Sequence, residues 1–297
     1  MGTISNLKYR FNSASMLMKI VYINILVFLV LRIAGIVCHF AGIDTMQVLT
    51  LVELPSSLTL LAKSPWTIIT YMFSHYDIFH ILFNMLVLYW FGSIFSDFFT
   101  HKQLCALYII GGIGGGVLYM VAYSLLPTLS MSSSWLIGAS ASVMAIVIAI
   151  AMKVPEYKLN LLLFGSVSLK WIAIFYIAVD LLSINGDNMG GHIAHIGGAL
   201  TGLLFTMMIN KGIDITKPIN RIFDLFANGK GAFRNISVKH KVGKKTQRKP
   251  EPAPTDSMSK EDENTLDTIL DKIKKSGYAS LTEDEKRRLF QVSSKKQ

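Results

Sequence analysis

Residues 132–153, SSSWLIGASASVMAIVIAIAMK, decide how the rest of this chain is read. From Gly138 onward the stretch has the apolar character of a membrane-crossing helix, yet it opens on two hydroxyls, Ser140 and Ser142. A polar side chain inside lipid is costly and is a functional candidate by default. What those hydroxyls do depends on what the other apolar segments bring to them.

The chain of 297 residues is 52% hydrophobic and 16% charged, with a mean hydropathy of +0.45, which excludes an ordinary soluble globular protein. Apolar runs of roughly 17–25 residues match the hydrocarbon thickness of a bilayer. Six candidate spans follow, at residues 16–40, 77–97, 103–126, 138–153, 169–184 and 192–210. The fourth and fifth are short, as suits helices that end inside the protein beside a water-filled cavity. The first is too long for a signal-peptide core and lacks an A-x-A-like processing site, so it is expected to be a retained span.

Basic residues set the expected orientation. Lys8 and Arg10 precede span 1 and Lys19 sits in its first turn, Lys102 separates spans 2 and 3, Lys153 at the end of span 4 and Lys158 stand before span 5, and a basic tail follows span 6. The alternate connections carry few basic residues, which predicts cytoplasmic termini and suggests a bacterial plasma membrane protein. The connection at 41–75 is itself apolar, and an interfacial, half-immersed segment is expected there, with Trp66 and Tyr71 at headgroup depth. Cys38 and Cys105 read as small buried hydrophobes.

The charge is unevenly divided: residues 211–297 hold 20 of the 29 Lys and Arg and 12 of the 19 Asp and Glu. Four regions are predicted: a cytoplasmic N-terminus at 1–15, an all-α polytopic membrane bundle of six helices at 16–210, a basic and Pro-rich linker at 211–258, and a soluble helical hairpin at 259–297. In the last, Leu266, Ile269, Leu270 and Ile273 recur at helical spacing, Ser276-Gly277 stops the first helix, and Thr282 with Glu285 forms a capping-box pattern for a second. A protein partner is the natural use for such a module. The basic segment behind span 6 is expected to lie against anionic lipid, and with no recognition motif present nucleic acid is not expected as a partner.

Inside the spans the polar residues carry the argument. His80 and Asn84 are one helical turn apart on one face, so both can point at one spot; as a pair they serve equally well as interhelical hydrogen-bonding glue. Span 6 carries GGHIAHIGGALTGLLF at 190–205, in which Gly198 and Gly202 make a smooth face, and span 4 has Ala141, Ala145 and Ala149 at the same repeat. The two helices are therefore expected to pack closely. That packing brings Ser140 to His195, a nucleophile beside its base. Gly138, with Ala139 between it and the serine, permits positive φ and close backbone approach. The Ser140 backbone amide at the helix start, with the Asn84 and His80 side chains, can receive a developing oxyanion. Ser142 lies about 200° further round the helix and is expected to pack, bonded to a carbonyl of the preceding turn. His75 is a candidate for admitting water at the head of span 2, or a plain interfacial polar residue. His192 either orients the loop above the site or has no chemical part.

His75 with His80-x-x-x-Asn84 in span 2, Gly138-x-Ser140 in span 4 and Ala194-His195-x-Gly197-Gly198-x-x-x-Gly202 in span 6 together resemble the rhomboid family of intramembrane serine proteases. The resemblance covers residues 16–210. It implies a six-helix bundle with a Ser-His dyad and no catalytic aspartate, cutting transmembrane protein substrates near the membrane boundary. Ser140 is then the nucleophile, His195 the base and later the acid, and His80 and Asn84 the oxyanion donors, with no cofactor and no metal. The chain departs from the family's pattern at Ala141, commonly glycine, at Met144, commonly a tyrosine stacked on the histidine, and at Trp66-Thr67, commonly Trp-Arg. Two other classes of function remain: a membrane protein that holds helices without cutting them, and a cation or proton transporter lined by His75, His80, His192, His195 and Asp180.

Overall fold

Capping chemistry decides where several helices begin. Ser15 Oγ accepts the Met18 amide at 3.3 Å and opens α2 (Met16–Phe40). Asp77 accepts the amides of Phe79 and His80 at 2.8 and 3.0 Å and opens α6 (Ile78–Phe98). Thr100 and Gln103 form a reciprocal capping box for α7 (His101–Leu125). Such caps contribute about 1 kcal/mol each. They also fix register, so Asp77 sets the direction in which His80 leaves its helix.

The computed structural model describes residues 3–130, 134–161, 165–186, 188–228, 268–269, 271–273, 280–282 and 284–286. The membrane unit begins with a short helix α1 (Thr3–Ser13), followed by α2. Small helices α3 (Met46–Leu49), α4 (Leu58–Lys63) and α5 (Thr67–Thr70) and a 3₁₀ turn (Tyr71–Phe73) build the first connection ahead of α6 and α7. Then come α8 (Pro127–Ser130), α9 (Ser140–Lys153), α10 (Leu169–Leu182), α11 (Met189–Asn210) and α12 (Lys217–Asn228). Among the described residues α2, α6, α7 and α11 are long and apolar enough to cross a membrane. The remaining two apolar helices, α9 and α10, have 14 residues each, about 21 Å at 1.5 Å per residue and well short of a 30 Å hydrocarbon layer. The protein is an all-α polytopic membrane protein.

The short helix α9 is the axis of the bundle. Residues 141–151 are all buried, and α6, α7, α10 and α11 pack around them. The expected seam between α9 and α11 is present: a Cβ on Gly198 would stand 2.1 Å from the Ala141 carbonyl oxygen, and one on Gly202 would stand 2.2 Å from that of Ala145. Helix α7 makes a second seam on α9, since a Cβ on Gly111 would meet Ala145 Cβ at 2.4 Å and one on Gly115 would meet Ala141 Cβ at 2.5 Å. The outer faces, with Leu26, Ile33, Leu82, Phe83, Phe175 and Leu182 exposed, are suited to lipid.

The first connection departs from expectation. Trp66 is half-exposed and donates its indole N–H to Leu51 O at 2.8 Å. Tyr71, in contrast, does not face the headgroups: it is 1% exposed and donates to the Gly112 carbonyl of α7. An apolar loop with a tyrosine satisfies its hydroxyl as well in the core as at an interface. Strand β1 (Leu54–Pro55) pairs with β2 (Trp135–Leu136), clamping this connection to the segment that leads into Ser140. A second hairpin, β3 (Lys158–Leu161) with β4 (Gly165–Ser168), joins α9 to α10.

Residues 217–228, inside the stretch read as a linker, form the amphipathic helix α12, tied to the head of α7 by Lys102 and Asp224 at 2.6 Å. Residues 229–258 of the linker lie outside the described residues, as do Leu266, Leu270 and the Ser276-Gly277 stop. The chain divides into compact units at 1–237 and 238–297. In the second, the Thr282 amide donates to Glu285 Oε2 at 2.7 Å and the Glu285 amide reaches Thr282 Oγ1 at 3.4 Å, which is the capping box. Lys272 bonds Glu285 at 2.8 Å, and Ile269 and Leu281 are buried.

Candidate active site

Four helices contribute polar side chains to one cavity of about 470 Å³. Ser140 and Met144 come from α9, His80 and Asn84 from α6, His192 and His195 from α11, and Tyr176 and Asp180 from α10. That volume lies within the range of ligand sites, roughly 300–1,000 Å³.

Ser140 is the first residue of α9, and the amides of Ser140, Ala141 and Ser142 have no hydrogen-bond partner among the described residues. These are the orphan donors of a helix start, where the helix dipole favours negative charge. Gly138 has φ of +121°, a conformation that glycine adopts at little cost and other residues rarely adopt. A Cβ there would lie 2.7 Å from His80 Cε1 and 3.8 Å from Ser140 Oγ, so the bare backbone at 138 separates the imidazole of His80 from the serine hydroxyl. Its amide donates to Tyr71 O at 3.0 Å, holding the turn. Asn84 donates one amide hydrogen to His80 O at 2.9 Å and faces the cavity.

His75 lies deeper than an entrance residue would. It is 1% exposed, its ring stands 5.0 Å from that of His80, and its Nε2 accepts the Ala139 amide at 3.4 Å. Burial, with the neighbouring His80 adding to it, pushes its pKa down to about 3. A neutral ring therefore braces the backbone one residue before Ser140.

Ser142 points away from the cavity toward α7, where a Cβ on Gly112 would meet its Oγ at 2.7 Å. The expected bond to a carbonyl of the preceding turn is not made: Ser142 Oγ is buried without a hydrogen-bond partner. The glycines of α7 leave it room but offer no acceptor in line.

His195 faces the cavity on α11. Its neighbour Ala194 and Ser140's neighbour Ala141 both abut Gly115, whose Cβ would stand 2.7 Å from Ala194 O and 2.5 Å from Ala141 Cβ. No hydrogen bond joins Ser140 to His195 among the described residues. Instead His195 Nδ1 bonds Asp180 Oδ1 at 2.8 Å, and His192 Nδ1 bonds the same oxygen at 2.8 Å. This cluster was missed from the sequence, where Asp180 figured only as a polar residue of a transport path. The signal was there: a carboxylate deep in the largely apolar LKWIAIFYIAVDLL needs partners. The glycine run of α7, Gly111–Gly116, was also overlooked, although six residues with five glycines announce close helix contact.

Comparison with known proteins agrees with this architecture. The Rhomboid domain model matches residues 62–212, just over half of the chain, and a family of unknown function (DUF6576) matches residues 257–295. The chain is 34% identical over 158 residues to RHOMBOID-like protein 12, mitochondrial, of Arabidopsis thaliana, a match covering 49% of this chain and 47% of the relative. It is 34% identical over 140 residues to presenilin-associated rhomboid-like protein A, mitochondrial, of Danio rerio, covering 45% and 34%. Against the human presenilin-associated rhomboid-like protein, mitochondrial, the identity is 30% over 140 residues, covering 45% and 35%. The chain spans under half the length of each of these relatives. With its domain match, polytopic helical bundle and motif-bearing helices taken together, this chain belongs to the rhomboid family.

Proposed function

We propose that the protein is an intramembrane serine endopeptidase that cuts transmembrane protein substrates near the membrane boundary. The observation that carries this reading is the convergence of Ser140, His195, His80 and Asn84, from three helices, on one cavity. In the reaction, Ser140 Oγ attacks the scissile carbonyl as His195 Nε2 takes its proton, and the negative charge forms on the carbonyl oxygen. The free amides at the head of α9, with donors from Asn84 and His80, stabilise that oxyanion; one such donor is worth about 2.7–4 kcal/mol in the transition state. His195 then returns the proton to the leaving amine, and water repeats the sequence on the acyl-enzyme.

The charge bias favours both termini on the side that retains basic residues. The three relatives are mitochondrial by name, so they lend no support to a bacterial plasma membrane. One observation favours a second reading, a helix-binding protein without catalysis: Ser140 makes no hydrogen bond to His195, and Met144 lines the cavity where the family commonly has a tyrosine.

Purified full-length protein in liposomes, given a panel of single-span substrates, separates the two. Cleavage is expected from the wild type and from Ser142→Ala, and is expected to vanish in Ser140→Ala and His195→Ala. Substrate binding without cleavage by the wild type would establish the second reading.

A further inference from the structure

We infer that Asp180 is a positioning residue that fixes the tautomer and orientation of His195. The inference rests on the protease reading for its consequence in the reaction, but its geometry stands without it. A carboxylate oxygen facing two ring nitrogens at 2.8 Å is an acceptor, so each Nδ1 carries the hydrogen. With Nδ1–H of His195 turned to α10, the lone pair is left on Nε2, the nitrogen that must take the serine proton. Left to itself, an imidazole samples both tautomers and rotates about its side-chain bonds. Pinning it removes the unproductive states before substrate arrives.

His192 has a matching part. Its Nδ1–H occupies the same Oδ1 from the preceding turn of α11, so the carboxylate is held from two points and cannot swing away from His195. Asp180 is 5% exposed and is the one acid on α10, so little solvent competes with the two rings for its oxygen. The same three side chains, with donor atoms within 4.8 Å of one another, resemble a metal-ligand set. The spacing argues otherwise. Two ligands on one tetrahedral zinc at about 2.0 Å lie roughly 3.3 Å apart, whereas both N···O separations here are 2.8 Å, the length of a charge-assisted hydrogen bond.

The test uses the full chain in lipid nanodiscs with ring-¹⁵N histidine, His195 being assigned by its loss in His195→Gln. The wild type should show His195 as the Nδ1–H tautomer, and Asp180→Leu, which suits a membrane helix, should shift it toward Nε2–H. In cleavage assays Asp180→Leu should lower kcat by about 100-fold or more with KM within about twofold, and Asp180→Glu should restore part of the loss. Chelators should leave the rate unchanged. The inference is overturned by an Nε2–H tautomer in the wild type, by a tautomer unaffected in Asp180→Leu, by kcat unaffected in that variant, or by chelator inhibition reversed by zinc. If the wild type cleaves nothing, the protease reading falls, and the tautomer measurement still decides the place of Asp180.

Discussion

Gly138 shows how much the site depends on a missing side chain. Gly138→Ala would put a methyl 2.7 Å from the His80 ring at φ of +121°, adding about 1–3 kcal/mol of strain. That strain should lower the thermal midpoint, and displacement of the His80 ring from its oxyanion position should lower kcat by up to about 100-fold, read as initial cleavage rate. His75 makes a different prediction. Its depressed pKa, about 3 against an ordinary 6.5, means the folded protein keeps it neutral while the unfolded chain protonates it. Its contribution to stability is full above pH 6.5 and is lost as the pH falls from there toward 3. Thermal midpoints at pH 7 and pH 5 should therefore differ, and His75→Gln should narrow the difference. At this scale much was legible in the sequence, because Ser140, His195, His80 and Asn84 are each costly in lipid and so stand out. Asp180 was equally costly but went unmatched: it lies 12 and 15 residues from its partners across a helix connection, and only the packing of α10 on α11 joins them.

Between elements, the seam of α9 on α11 is the contact that brings the serine toward the histidine. Alanine at Gly198 or Gly202 would place a Cβ 2.1–2.2 Å from a backbone carbonyl oxygen, which cannot move aside as a side chain does. Both variants should separate the helices, lowering the thermal midpoint and the cleavage rate together, and Gly198→Ala, nearer Ser140, should lose more activity for the same loss of stability. This seam was readable from the four-residue repeat of small side chains. The second seam, from α7, was as plainly written in Gly111–Gly116 but has no polar residue to draw attention to it. Helix α12 was hidden because its apolar residues are interleaved with Lys217 and Arg221 in a basic tail, while its amphipathic face shows only at helical periodicity. Ile222, Phe223 and Leu225 are left substantially exposed beside the membrane unit. A Phe223→Trp reporter should show blue-shifted emission in liposomes; emission as in water would place this face in solvent.

For the whole molecule, the cavity is built entirely within the unit at 1–237, and the second unit has its own local order. Truncation after residue 237 should leave cleavage in detergent unchanged. The second unit should respond to acid through Glu285, whose pKa is drawn down to about 2 by the Lys272 ammonium and the Thr282 amide. That support is present above the ordinary glutamate range and disappears as the pH falls toward 2, and Glu285→Gln should abolish the dependence in that unit's helical signal. The separation of an apolar part from a charged tail was visible in composition alone, although the compact units fall at 1–237 and 238–297. The depth of the first connection was not, because an apolar loop with tyrosines can lie on a bilayer or close over a core, and its pairing with residues 135–136 is a long-range contact. In the proposed reaction Ser140 is a nucleophile activated by His195. This activation is tested most directly by treating the full chain in liposomes with a fluorophosphonate and mapping the adduct by mass spectrometry. A single adduct is expected on Ser140, absent in His195→Ala and retained in Ser142→Ala; an adduct on Ser142, or labelling of Ser140 unaffected by loss of His195, would rule this activation out.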